Sequence, residues 1–377
     1  MSYAVNTEKM LQLFARLVSI DSLSFGERGI ADVLKSELKA LGFEVSEDDA
    51  GEKYGSDTGN IYAYLPGTNP SADPVLLSAH MDTVVPGIGK KAVIDYDEGI
   101  ITSEGDTVLG ADDVAGIVEI LEGVRLAKDN SPGYGDIEIL FTIAEEVYGK
   151  GAKEFDYDRI KSNHAYVADM SGAVGRAARS APSIITFEFN IKGRPAHAGF
   201  APEKGINAVA VAADIISSTK QGLVGEGLTL NIGTISGGKA SNIVPDQVNC
   251  TGEIRGNDHD TAMQALSSLE RSIRVACEAA GAVYTFNSSI MIRAYETPLT
   301  DKSCETFIKA CSRLGLKGEL VSTRGGSDNN IFARHGIKGI VLSTGMVNTH
   351  STEEFIKTDE LEAGCRLVAE LISLGSE

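Results

Sequence analysis

Apolar and polar positions along this chain alternate in stretches of helical and of strand character. Met10, Leu11, Phe14 and Leu17 fall on one face of a helix over 7–20, and a second helix is expected from about 26 to 41, stopping at Gly42. Val45 and Ile61–Leu65 read as early strands, with Pro66-Gly67 as a turn. Four short apolar runs follow at Val75–His80, Ile137–Ile143, His164–Ala168 and Lys338–Ser343. Such runs are too short for helices and apolar enough for buried strands. Residues 91–104 read as a hairpin. A helix opening at Gly110-Ala111-Asp112-Asp113 carries Val114, Ile117, Val118, Leu121 and Val124. Helices near 301–313 and 353–373 close the chain.

The order changes between 178 and 292. There the pattern predicts strand (184–192), helix (204–218), strand (228–236), strand (246–255), helix (259–279) and strand (282–290). That β-α-β-β-α-β order is the ferredoxin-like unit. It interrupts an α/β domain made of 1–177 and 293–377, so the 377 residues are expected to form two domains. Within the insert, Gly233–Ala240 nearly spells a phosphate-binding loop. Ala240 stands where a Ser or Thr would hold magnesium, and the segment links two strands, so a hairpin loop is the better reading.

Composition narrows the function classes. The net charge of 34 − 53 = −19 argues against nucleic-acid binding and against anionic membranes. The five cysteines (250, 277, 304, 311, 365) form no C-x-x-C pair, as expected of reduced thiols in a cytoplasmic protein. The first ten residues show no basic-then-apolar leader, and no apolar run approaches the ~18 residues of a membrane span.

The chemistry gathers where the apolar runs end. In open α/β sheets, ligands bind at the carboxyl ends of the strands. His80 ends one run and Asp82 follows on the same face, a pairing that suits a metal-binding imidazole. Another run ends in Glu145-Glu146, a third in Asp169, and the fourth is followed by His350. Asp112-Asp113 opens a helix, where two acids alone more commonly read as a cap. As a set, these residues supply enough ligands for two metal ions. Imidazole and carboxylate without thiolate suit zinc, and also manganese or cobalt.

These motifs are familiar. His80-Met-Asp82, Gly110-Ala-Asp112-Asp113, Ala144-Glu145-Glu146, Val167-Ala-Asp169, Gly193-x-x-x-His197, Ser241-Asn242-Ile-Val-Pro245, Glu253-Ile-Arg255, Arg324-Gly-Gly-Ser-Asp328 and Asn348-Thr-His350 resemble, in order, the co-catalytic metallopeptidase family. That family includes peptidase T, carboxypeptidase G and succinyl-diaminopimelate desuccinylase, and the peptidase T branch is the most similar. The resemblance implies a zinc-exopeptidase catalytic domain with a mixed, mostly parallel sheet, and an inserted lid and dimerisation domain at 178–292. It implies that His80 and Asp169 bind one zinc, Glu146 and His350 the other, and that Asp112 bridges them. Asp82 would orient His80, and Glu145 would be the general base acting on a water shared by the metals. A cis peptide would join Asp112 to Asp113. His197 would stabilise the oxyanion, in many relatives across a homodimer interface. Asn242, Arg255 and Arg324 would hold the substrate's ends, although either Arg reads equally well as a salt-bridge residue. His164, His259 and His335 match no motif.

The expected activity is hydrolysis of short peptides, with tripeptide aminopeptidase action first. A carboxypeptidase or N-acyl-amino-acid deacylase on the same scaffold is the rival. A metal-binding scaffold without turnover, or a purely structural oligomer, would leave Glu145 and the buried acids without a use.

Overall fold

The structure is a computed structural model and describes residues 3–375. The chain packs as two units. One comprises the chain up to Ser180, Glu296–Thr323 and everything from Ser327 onward; the other comprises Ala181–Tyr295 with Arg324–Gly326. The sequence-based boundaries at 178 and 292 lie three residues from these, because the strand Arg176–Ala181 belongs to the first unit almost to its end.

The first unit is built on a mixed sheet. In spatial order its strands are Glu44–Glu47, Ile61–Leu65, Ile137–Thr142, Val75–His80, His164–Met170, Lys338–Ser343 and Arg176–Ala181, which Glu319–Ser322 joins in parallel. The four strands from Ile137–Thr142 to Lys338–Ser343 are mutually parallel, so their carboxyl ends fall on one edge. His80 lies level with Thr142, and Ser78 with Val167. The first two of these four are buried at every position. That explains their unbroken apolar runs, since helices cover both faces of a parallel sheet. The helix Ala111–Asn130 crosses the sheet close to its backbone. A Cβ on Gly116 would stand 2.1 Å from the Ala168 carbonyl oxygen, so only glycine allows this approach.

A smaller antiparallel sheet in the same unit pairs Ala92–Asp95 with Ile100–Ser103, then Phe355–Lys357, then Met346–Val347. The expected 91–104 hairpin is therefore present. The expected helix over 353–373 is corrected: it begins only at Thr358, because Phe355 and Ile356 pair with Thr102 and Ile101 instead.

The second unit is a five-stranded antiparallel sheet in the order Gly222–Gly225, Leu228–Gly237, Gln247–Gly256, Ser183–Lys192, Val283–Ile292. Helices Ala208–Ser218 and His259–Ala280 bury Val211, Ile215, Leu266, Leu269 and Ile273 against it. This is the ferredoxin-like order plus one edge strand. The first helix starts later than the expected 204, where Asn207 caps it by accepting from Ala210 N–H at 3.0 Å. Of the near-phosphate-loop sequence, the residues up to Gly237 lie in the strand Leu228–Gly237, and only Gly238–Ala240 enter the connection to the antiparallel strand Gln247–Gly256, which corrects the expected hairpin loop.

Candidate active site

His80 ends its strand with a side chain only 2% exposed. Its Nδ1 lies 2.9 Å from the Asp82 carbonyl oxygen. A carbonyl only accepts, so Nδ1 carries a hydrogen, and the neutral ring would present a bare Nε2 to a ligand. Nε2 points to Asp112 Oδ1 at 3.1 Å and to Asp169 Oδ1 at 3.7 Å. His350 Nε2 lies 2.9 Å from Glu146 Oε1 and 3.2 Å from Asp112 Oδ2. Asp112 thus offers one oxygen to each imidazole. The parallel strands and the loops that follow them bring His80, Asp112, Glu146, Asp169 and His350 to one edge of the sheet. The peptide between Asp112 and Asp113 is cis.

Asp82 is fully buried and works through the main chain. Its Oδ1 accepts from Glu145 N–H at 2.9 Å, and its Oδ2 accepts from Glu146 N–H at 3.2 Å and from the Ser24 hydroxyl at 2.6 Å. One carboxylate therefore fixes the pair Glu145-Glu146 while its own main chain orients His80. The Glu145 carboxylate accepts no hydrogen bond among the described residues, so it is free to meet a substrate water.

The electrostatics call for a cation. Burial alone would lower the His80 pKa, yet Asp112, Asp169 and Asp82 push it well above the usual imidazole value. Asp112 and Glu146 raise His350 to about 10. Burial, reinforced by Asp112 and Glu146, lifts Asp169 to about 7. Burial and the adjacent Asp169 hold Glu145 well above the carboxylate range. Excess buried negative charge shared around two imidazoles is the environment that bound divalent ions neutralise. His80 with Asp112 and Glu146, and His80 with Asp113 and Asp169, each form a compact set of donors that could hold a metal ion. The residues present therefore fit a metal centre.

Four further acids, to which the sequence alone assigns no role, support the site. Asp113 is buried, and its Oδ2 accepts from His80 N–H at 3.1 Å. Glu354 accepts from Gly110 and Asp112. Asp328 binds the Thr142 hydroxyl at 2.5 Å, and its other oxygen lies where a Cβ on Gly149 would come within 2.8 Å. Gly149 has φ +62°, so the loop after Glu145-Glu146 requires glycine there on both counts. Glu27 is buried and accepts from Ala144 N–H at 3.0 Å. Asp328 ends a quoted motif and Glu354 lies four residues after His350, which are faint signals; Glu27 has none.

Burial and the charge of Asp82 raise Glu27 to about 7. The folded state therefore binds more protons than the unfolded state between pH ~4.5 and ~7. This contribution to stability is full below that window and is lost as pH rises through 7. Glu27→Gln should consequently gain stability relative to the parent between pH 5 and pH 8, by on the order of 2–3 kcal/mol. Urea unfolding at both pH values measures this; an unchanged difference would show that Glu27 is ionised throughout.

The remaining expected residues belong to the second unit and form two pairs there. The segments around His197 and Asn242 are bridged, with Ala198 N–H donating to the Asn242 carbonyl at 3.0 Å, and both side chains are exposed. Arg255 is held by Glu253 at 2.8 Å and donates to the Arg324 carbonyl at 3.0 Å. The Arg324 side chain is exposed, with no partner among the described residues. Outside these motifs, His164 is buried beside Asn163, His259 meets the Ser183 hydroxyl, and His335 stacks on Tyr157.

Residues 179–280 match the peptidase dimerisation domain of the M20 type, and residues 60–214 match peptidase family M28. The chain is 34% identical to Bacillus subtilis YqjE over 98% of both chains. The solved aminopeptidase PepT of Bacillus cereus is 34% identical, with a TM-score of 0.95 over 99% of this chain and 100% of that one. A tripeptidase structure from Staphylococcus aureus is 31% identical, with a TM-score of 0.95 over 99% of both chains. On identity over nearly the whole length, and on a fold shared with these two structures, this chain belongs to the peptidase T family of M20-type peptidases.

Proposed function

We propose that this protein is a two-metal aminopeptidase that removes the first residue from short peptides, tripeptides above all. The observation that carries the reading is the Asp112 carboxylate, shared between His80 and His350 beside an unencumbered Glu145. His80 and Asp169 would hold one divalent cation, Glu146 and His350 the other, and Asp112 both. Zinc is the metal that this thiolate-free set favours. When bound, two such ions lower the pKa of a water between them and polarise the scissile carbonyl.

The chain's own residues do the rest. Glu145 takes the attacking water's proton and delivers it to the leaving amine. Asp82 keeps Glu145 in place through its main-chain N–H. His197 Nδ1 accepts from the N–H groups of Gly199 and Phe200, both at 3.2 Å. The hydrogen of the neutral ring therefore sits on Nε2, the donor an oxyanion needs. Arg255 is already engaged by Glu253, so Arg324 is better suited to take a substrate carboxylate and Asn242 the adjacent peptide group. The match to a dimerisation domain supports a homodimer through the 178–292 region. Five free, buried cysteines support a cytoplasmic setting.

The test sets a free tripeptide against its N-acetylated form, with sedimentation velocity on the same sample. The free peptide should be cut at its first bond at least ~100-fold faster, by a dimer. Preference for the acetylated peptide would favour the deacylase reading, and a fully active monomer would exclude the intersubunit role of His197.

A further inference from the structure

His350 and Glu354 share one hairpin loop. Met346–Val347 pairs with Phe355–Lys357, and residues 348–354 connect them. The loop is held by its own groups. The Ser351 hydroxyl donates to the Asn348 carbonyl at 2.7 Å, Glu353 N–H donates to the Ser351 hydroxyl at 3.2 Å, and Glu354 N–H donates to the Ser351 carbonyl at 3.2 Å. Asn348 and His350 sit at φ +55° and +63°, a region side chains rarely adopt without local support. Glu354 closes the loop with a side chain 2% exposed. Its Oε2 accepts from Gly110 N–H at 2.7 Å and its Oε1 from Asp112 N–H at 3.0 Å.

The same loop therefore carries an imidazole to one oxygen of Asp112 and a carboxylate to the main chain of Asp112, 242 positions away in sequence. Asp112 and Asp113 have non-helical backbone angles although they stand in the first turn of the Ala111–Asn130 helix. First-turn N–H groups have no acceptor within the helix, and for Asp112 the acceptor is Glu354.

We propose that Glu354 is a positioning residue that clamps the main chain of Asp112 against the His350 loop, so that both oxygens of Asp112 are aimed before any ion arrives. The proposal rests on Asp112 being the shared metal ligand. Glu354 touches neither substrate nor ion, and acts only through the backbone it grips. Carboxylate is required at this position. An amide offers one acceptor and one donor, so in Glu354→Gln either Gly110 N–H or Asp112 N–H would face an NH2 group.

The test titrates metal-free protein with cobalt(II) and follows visible absorption, for the parent and for Glu354→Gln. The variant should bind cobalt ~10–100-fold more weakly, as is usual when a group supporting a metal ligand is lost. Its kcat should fall while KM stays within about twofold. The melting temperature without metal should stay within a few degrees, because removal of a buried charge offsets the one hydrogen bond that the amide loses. Unchanged cobalt affinity overturns the clamp. So does a metal-free melting temperature that falls in step with the affinity, since that would mark a merely structural residue. Should Glu354→Gln not fold, Glu354→Asp keeps the charge one methylene short; weakened cobalt binding there supports the clamp and parental binding overturns it. A parent protein that takes up no cobalt would instead overturn the metal centre itself, and the clamp with it.

Discussion

Glu145→Ala is expected to keep its metal and lose ~10²–10⁴-fold in kcat, the usual range for a positioned general base. That corresponds to roughly 3–5 kcal/mol of barrier. The metal should stay because neither imidazole is paired with Glu145. His80 meets Asp112 and Asp169, and His350 meets Asp112 and Glu146. The loop should also stay, because the hydrogen bond from residue 145 to Asp82 uses the main-chain N–H, which alanine keeps. Elemental analysis and steady-state kinetics on one preparation separate the two effects. Hydrolysis within tenfold of the parent would remove Glu145 from the reaction. Loss of metal would make it a ligand instead.

Chelation should abolish hydrolysis and lower the melting temperature by on the order of 10 °C, both restored by adding a divalent ion back. The acids here sit against two imidazoles in a largely buried pocket. Without cations, burial and mutual repulsion disfavour those charges, and the pKa values of Asp169, Glu145 and Asp113 rise accordingly. An ion present at 100 times its dissociation constant stabilises the folded state by ~2.7 kcal/mol, and two by roughly twice that. In a protein of 377 residues each kcal/mol shifts the midpoint by ~1–2 °C. Calorimetry before and after dialysis against chelator measures it. A chelated protein with unchanged activity and midpoint would show that no ion is needed.

The parts of the molecule that the sequence displays are those governed by local period and by strand ends. Val75–His80 and Ile137–Thr142 were legible because strands covered on both faces leave uninterrupted apolar runs. His80 and Glu145-Glu146 were conspicuous because a polar residue ends each run abruptly. By sequence Phe355–Lys357 reads as the start of a helix, since its apolar residues also fit a helical face; only pairing with Ile100–Ser103, some 250 positions away, makes it a strand. Glu354, Asp328 and Glu27 went unseen for a related reason. Each grips a main-chain N–H or a hydroxyl on a distant segment, and such contacts leave no periodic trace.

The donor atoms of the proposed metal centre come from separate stretches between His80 and His350. On the ribosome, most of the parallel sheet can pair before the last imidazole has been made. The proposed ion pocket is thus complete only once His350 and the hairpin that carries it have been made, and a shorter nascent chain lacks one of its two imidazoles.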